Sequence, residues 1–338
     1  MQHKMPEPLV YIIIINWNRW KDTLECLDSV FRSTYSHYRV IVCDNGSTDG
    51  SLEKIKAWAD GELVYHTPIG DSAGQKMEFA PNRPQPLTYV EWTPQELAEL
   101  QERNLENLDI ILIRLPDNWG FGKANNVALR LVSRDKQLAY AWLLNNDTVI
   151  YPNTLALMVQ AAQRHSGITG SVLKYYTDPS KIQVNGGGYF NPTTGRVTTE
   201  QQTKSQKLDF INGASLMLSK AVLDNVGLFD EQIFMYFEEN DYCIRAQKQG
   251  FTMAVADGCV LHKGGASSGG DNSYWSWQNV YTNKCYVLLK HYGKKPWILF
   301  SIGAWLFNIL NPRVLPAKRQ ASKYAIVYLI KALRTGLS

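Results

Sequence analysis

Four apolar residues, Ala141-Trp142-Leu143-Leu144, run directly into Asn145-Asn146-Asp147-Thr148. A short apolar run without alternation reads as a strand buried on both faces, the pattern of a parallel sheet. Such sheets bind ligands in the crevice beyond the carboxyl ends of their strands. A carboxylate placed there among oxygen-bearing neighbours suits a hard divalent cation that also grips phosphate oxygens. Asp and Asn are also ordinary turn residues, so Asp147 reads equally well as a turn acid before a helix starting near Asn153.

The same apolar signature recurs along the chain. Val10–Ile15, Tyr38–Cys43 and Asp109–Leu115 read as strands. Helical patterns over Lys21–Arg32, Ser51–Ala59 and about Lys123–Val132 alternate with them, which predicts an α/β fold with a mostly parallel, right-handed βαβ sheet. Further helices are expected over Asn153–His165, Lys220–Val226 and Tyr242–Gln249, and strands over Phe210–Leu218, Thr252–Ala256 and Cys259–His262. Residues of about 60–108 break the rhythm with five prolines, the last opening a helical run at Pro94–Asn107, and read as an insertion. At 338 residues the chain can bury a large core as one domain with an appendage.

Five scattered cysteines with no CxxC spacing fit a reducing cytosol better than a disulfide framework. The N-terminus has no signal-peptide pattern, and Tyr11–Ile15 is too short to span a bilayer. Net charge is +4, but unevenly spread. From Asn272 onward there are ten basic residues and no acid, so the remainder, 25 basic against 31 acidic, carries −6.

Several loops carry candidate chemistry. Asp44-Asn45-Gly46-Ser47-Thr48-Asp49 follows a strand, and Asp44 can accept a hydrogen bond from a base N–H, while Ser47 or Asp49 can cap the next helix. Asn118-Trp119-Gly120-Phe121-Gly122-Lys123-Ala124-Asn125-Asn126 lets backbone approach a phosphate or sugar, although its glycine spacing is not that of a dinucleotide fingerprint. Phe234–Asp241 sets aromatics against Glu238, Glu239 and Asp241 immediately before a helix. Acids there suit the helix dipole, and a carboxylate among aromatics can also become a base with a raised pKa. His262, at a strand end before Gly264–Gly270, is a candidate ligand for metal or diphosphate.

Taken in order, Ile15–Asn18, Asp44–Asp49, Asn118–Asn126, Asn145–Asp147, Gly213–Ser215, Gly227–Asp230, Phe237–Cys243 and His262–Ser267 resemble the family 2 glycosyltransferases, nearest their rhamnosyltransferase-like branch. The resemblance covers residues 9–268. It implies a GT-A domain over 1–271 and inverting transfer from a UDP- or dTDP-sugar with Mg²⁺ or Mn²⁺, while the helical, apolar pattern from Tyr274 onward leaves 272–338 as a separate C-terminal region. The acceptor it implies is a hydroxyl of a glycan or lipid-linked saccharide. By position, Glu239 would be the general base with Glu238 beside it and Asp241 as the alternative. Asp147, His262 and Asn145 would serve the metal. Asn16, Asp44, Asn118, Gly120, Gly122, Asn125 and Asn146 would bind the donor. This chain departs from the family pattern in having Asn145 at the first metal acid, Glu239 at the usual Asp, and the insertion.

The apolar stretch Pro296–Leu310, with Trp297 and Trp305 and flanked by Lys294 and Lys295, is shorter than the ~20 residues of a spanning helix. It reads as peripheral attachment to an anionic inner membrane face, or as a buried core or dimer helix. No nucleic-acid partner is expected. Two rival functions are a sugar nucleotidyltransferase, whose basic glycine loop Ile12–Asn18 lacks, and a non-catalytic scaffold of a polysaccharide-synthesis complex, which Asn145 favours.

Overall fold

The computed structural model describes residues 7–65, 85–100, 105, 107–165, 167–201, 207–264, 273–311 and 314–335. Its first half alternates strand and helix: β1 (Leu9–Asn16), α1 (Trp20–Phe31), β2 (Tyr38–Asp44), α2 (Ser51–Ala59), β3 (Tyr89–Trp92), α3 (Pro94–Glu99), β4 (Ile110–Arg114), α4 (Phe121–Val132) and β5 (Leu138–Leu144). These strands lie in the order β3-β4-β2-β1-β5, every pair parallel. The chain therefore builds outward on one side of β1 and returns to its other side. The crevice between the ends of β1 and β5 is the point where strand order reverses.

The apolar runs are explained by burial on both faces. Tyr11 and Ile13 of β1 join a core with α4, while Val10, Ile12 and Ile14 join a second core with α1 and α2. All five are fully buried, and each aliphatic side chain so placed contributes ~1.5–3 kcal/mol.

The sheet continues through β6 (Thr148–Ile150), β7 (Gly167–Tyr175), β8 (Asp178–Asn185), β12 (Ser215–Ser219) and β13 (Thr252–His262), with α5 (Thr154–Arg164), α6 (Lys220–Val226) and α7 (Glu238–Lys248) against its faces. β9 (Gly187–Phe190), β10 (Val197–Thr199) and β11 (Phe210–Ile211) form a separate small sheet. The C-terminal helices are α8 (Tyr274–Tyr292), α9 (Lys294–Leu310) and α10 (Pro316–Thr335).

Five expectations change. Within 60–108, β3 is a parallel edge strand of the main sheet, so this stretch is partly integral to it. The helix there ends at Glu99; 66–84, 101–104 and 106 lie outside the described residues. Phe210–Leu218 divides into β11 and β12, which belong to different sheets. Thr252–His262 is one strand whose register shifts between Val255 and Cys259. α7 begins at Glu238, so the acids occupy its first turn instead of preceding it.

The C-terminal helices share a third core with the α/β region. Phe190, Ile233, Phe237 and Ile244 pack with Tyr281, Cys285, Leu288, Trp297, Phe300 and Ala321. Trp297, expected at a membrane surface, is fully buried.

Candidate active site

A cavity of about 360 Å³ opens at the carboxyl ends of β1 and β5, within the range of small-molecule sites. Behind it runs a buried chain of hydrogen bonds. Asn146 Nδ2 donates to Thr23 Oγ1 (3.0 Å), and Thr23 Oγ1 donates to Asn16 Oδ1 (2.7 Å). Asn16 Nδ2 donates to Asp44 Oδ1 (2.7 Å), its register partner on β2. Asp44 Oδ2 accepts from the Ser47 backbone N–H (3.2 Å). Both Asp44 oxygens thus fix the loop after β2, and neither Asp44 nor Asn16 lines the cavity.

Asp147 sits in the tight turn from β5 to β6. β6 runs antiparallel to β13 with Thr148 opposite His262, and this register brings two distant sequence positions together. His262 Nε2 is 3.4 Å from Asp147 Oδ1. Its Nδ1–H donates to Gln183 Oε1 on β8 (2.8 Å), which directs Nε2 toward the carboxylate. Burial opposes ionisation of Asp147, but the imidazole's hydrogen bond and charge outweigh it and hold the carboxyl below its usual range. Asn145 and Asn146 also line the cavity. Among the described residues no cluster of three or more His, Cys, Asp or Glu could hold a metal. Asp147 and His262 can supply two donors, leaving other positions for ligand oxygens.

The loop before α4 is built around Gly120. Its φ is +76°, and a β-carbon there would lie 2.2 Å from the Phe234 carbonyl oxygen, so no other residue fits without displacing that strand of chain. Asn45 clasps the loop: its Nδ2 donates to Asn118 Oδ1 (2.9 Å) and its Oδ1 accepts from Trp119 N–H (2.9 Å). Asn118 and Gly120 face the cavity. Gly122 and Asn125 do not line it. A β-carbon on Gly122 would come 3.2 Å from Phe229 Cβ and 3.8 Å from Glu238 Cβ, so this glycine allows close packing beside the acids. Asn125 Nδ2 donates to Phe121 O (3.0 Å), while its buried Oδ1 has no partner.

Glu238 and Glu239 also line the cavity. Burial raises both carboxyls. Glu238, with Glu239 beside it, lies well above the usual range, and Glu239 is pushed up to about 7. Glu238 Oε2 is buried without a partner. The preceding Tyr236 and Phe237 both have left-handed backbones (φ +70° and +75°). A non-glycine residue held there costs ~1–3 kcal/mol, and the surrounding structure must impose it. Asn283 of α8 does so, donating from Nδ2 to the carbonyls of Met235 (2.7 Å) and Tyr236 (3.2 Å).

Asp241 is placed elsewhere. It is fully buried, and its oxygens meet Arg245 Nε (2.8 Å), His291 Nε2 (2.7 Å) and Lys290 Nζ (2.7 Å). Although burial opposes ionisation, these partners hold its carboxyl far below the usual range. It ties α7 to α8 and does not line the cavity. Asp241 as the alternative base is therefore corrected.

The fold also adds residues that the sequence did not single out, including Asn45, Gln183, Tyr236 and Asn212. Asn45 was visible in its turn. Gln183 had no local signal, because only the pairing of β7 with β8 brings it in. The glycine loop expected after His262 lies outside the described residues from 265 onward.

Comparison with known proteins follows this geometry. The model of "Glycosyl transferase family 2" matches residues 11–73. That of "Glycosyltransferase like family 2" matches residues 93–271, more than half the chain. The low-salt glycan biosynthesis hexosyltransferase Agl10 of Haloferax volcanii is 23% identical over 145 residues, or 42% of this chain. The match spans 47% of that relative, under half its length. Three solved structures share the fold. GalNAc-T7 with UDP, GalNAc and Mn²⁺ has a TM-score of 0.57 at 11% identity, covering 98% of this chain and 58% of its own. The mannosyltransferase PcManGT of Pyrobaculum calidifontis, with GDP-Man and Mn²⁺, scores 0.51 at 14% identity over 97% and 88%. S. aureus TarS 1-349 with UDP-GlcNAc scores 0.51 at 16% identity over 96% and 81%.

Proposed function

We propose that this chain, which belongs to glycosyltransferase family 2 and has the GT-A fold, transfers a sugar with inversion from a nucleotide-diphosphate donor to an acceptor hydroxyl. The acceptor is a glycan or a lipid-linked saccharide, and the donor a UDP- or dTDP-sugar, with dTDP-rhamnose as the specific candidate. One observation carries the reading: the Asp147–His262 pair and the Glu238–Glu239 pair line a single cavity.

Asp147 and His262 fit a divalent cation. With Nδ1–H committed to Gln183, His262 turns Nε2 to within 3.4 Å of a carboxylate oxygen, so that this nitrogen and oxygen can close on one cation as two of its donors. Mg²⁺ or Mn²⁺ held there, with Asn145 adjoining, would offset charge on the departing diphosphate. Asn118 and the backbone at Gly120 face the donor, while Asn16 and Asp44 fix the loop against which the base lies. Glu239 accepts the acceptor's hydroxyl proton as that oxygen attacks the anomeric carbon from the face opposite the diphosphate. Burial raises Glu239 to about 7 and so makes it basic near neutrality, and the charge it takes on raises its neighbour Glu238 further.

The domain plan that supports this reading is a GT-A domain over 1–271 with the helices of 272–338 packed onto it. Membrane attachment is peripheral and cytoplasmic in our reading. No helix among the described residues is long and apolar enough to cross a membrane. α9 exposes Leu299, Ile302, Leu306, Phe307 and Leu310 beside exposed Lys294 and Lys295.

The test is a donor screen with UDP-, dTDP- and GDP-sugars and Mn²⁺, read by thermal shift and then by transfer. Asp147→Asn should abolish the Mn²⁺-dependent stabilisation by nucleotide. Glu239→Gln should keep it and lose about 10²–10⁴ in transfer rate. Unchanged binding in the first variant removes the metal role, and full activity in the second removes the base.

A further inference from the structure

A second cavity, of about 820 Å³, lies among α8, α9, α10 and the turn joining β9 to β10. Its lining contains three cationic side chains, Arg196, Lys284 and Lys318, and no acid. Among the described residues no carboxylate pairs with any of the three. Lys284 Nζ instead lies between two aromatic rings, 5.3 Å from the centroid of Phe237 and 5.1 Å from that of Phe300. Lys318 Nζ lies 4.3 Å over the Trp277 ring. Rings of this kind keep a desolvated cation in place but leave its charge uncompensated.

Two polar atoms lining it are also unsatisfied: Trp277 Nε1, a donor suited to an anionic oxygen, and Asn308 Oδ1, an acceptor that only a protonated phosphate oxygen could meet, are buried without a hydrogen-bond partner, and Asn308 is 1% exposed. Buried polar groups in native proteins are ordinarily paired, so an orphan marks a place where a ligand atom belongs. The rest of the lining is mainly apolar, with hydroxyls on Thr193, Thr194 and Tyr281. Leu299 and Phe307 line the cavity and are also 60% exposed, so it opens onto the unpartnered apolar face of α9. Gly303 stands at this mouth, with nothing within 4 Å of where a β-carbon would be.

We propose that this cavity binds a lipid phosphate, its anionic head on Lys284, Lys318 and the Trp277 indole N–H, its hydrocarbon chain along Phe300 and Phe307. The cations and the apolar exit must both be used by one molecule, which selects an amphiphile over a free anion or a neutral lipid. Burial lowers the Lys284 ammonium to about 8, the behaviour of a cation without its counterion. Phe237, under Lys284, directly precedes Glu238. A lipid phosphate held here adjoins the catalytic loop from the membrane side, as the carrier of a lipid-linked acceptor would. That consequence rests on the transferase reading; the binding itself does not.

The experiment uses the full chain and decyl phosphate below its micelle concentration, followed by calorimetry and tryptophan fluorescence. Decanol, inorganic phosphate and UDP with Mn²⁺ are run in parallel. Saturable binding of one decyl phosphate is expected, with decanol and inorganic phosphate at least tenfold weaker. Lys284→Met should weaken binding at least tenfold. Gly303→Leu should abolish it by filling the mouth, without lowering the melting temperature, since leucine is the better helix former. If Lys284→Met does not fold, Gly303→Leu decides alone. Equal binding by Gly303→Leu, equal binding of decanol or of inorganic phosphate, or no saturable binding by the wild type overturns the proposal. Decyl phosphate binding without UDP binding would instead count against the transferase reading alone.

Discussion

Glu239 and Asp241 stand two positions apart in the first turn of α7, and the fold gives them opposite acid strengths. Burial raises Glu239 to about 7; Asp241, also buried, is held far down by His291, Lys290 and Arg245. Their roles separate on that basis, as a group that can exchange a proton near neutrality and one that stays charged. A base works when ionised, so the transfer rate should rise with pH and level off above about 7, and Glu239→Gln should remove that limb from the kcat/KM profile. Stability should run the other way. Between the usual carboxylate range and about pH 7 the native state binds more protons at Glu238 and Glu239 than the unfolded chain, so stability falls as pH rises. Urea midpoints measured across that interval, compared with those of Glu239→Gln, check the sign. The sequence could nominate these acids from their aromatic neighbours. It could not rank them, because Lys290 and His291 lie about fifty residues away.

Among the elements, β1, β2, β4 and β5 were legible because burial on both faces leaves an uninterrupted apolar run. β3 and β6 were not. Each is short and defined by its partner strand: β3 carries the half-buried Tyr89, Val90 and Glu91, and β6 exists through its register with β13. Yet β6 is what seats His262 beside Asp147, so these two candidates were legible as residues but not as a pair. The joint between α7 and α8 carries a prediction of its own. Asp241→Asn leaves Arg245, Lys290 and His291 without their shared buried anion, and loss of one partner from such a group costs about 3–5 kcal/mol. Chemical denaturation should show that loss at neutral pH. It should shrink in acid, because a carboxylate with a depressed native pKa stabilises fully above its unfolded value and loses that contribution as pH falls toward the native one. An unchanged midpoint would mean that the joint contributes little.

For the whole molecule, three cores matter more than the boundary at 271. The charge asymmetry sets the C-terminal region apart in sequence, but Trp297 and Phe300 bury against Phe190 and Phe237, so it is not separable in packing. Removing α9 and α10 would uncover that core, and membrane binding is better tested on the intact chain. Full-length protein should float with phosphatidylglycerol vesicles at low salt and less at high salt, each Lys or Arg near the surface contributing about 1 kcal/mol. Leu306→Asp with Leu310→Asp, both at exposed positions, should abolish flotation and leave melting unchanged. Flotation insensitive to both salt and these changes would exclude the peripheral attachment.

Asn283 has a temporal consequence. Every residue that lines the active-site cavity precedes it, from Ile15 to Gly264, and so leaves the ribosome earlier. The parallel sheet can form as it emerges, since domains begin to fold from the N-terminus during synthesis. Tyr236 and Phe237, however, lack the grip of Asn283 on the Met235 and Tyr236 carbonyls until α8 arrives. On the proposed roles, a nascent chain would assemble the donor side first and aim Glu239 only after α8 has docked, and the growing polypeptide would have no transfer activity until then.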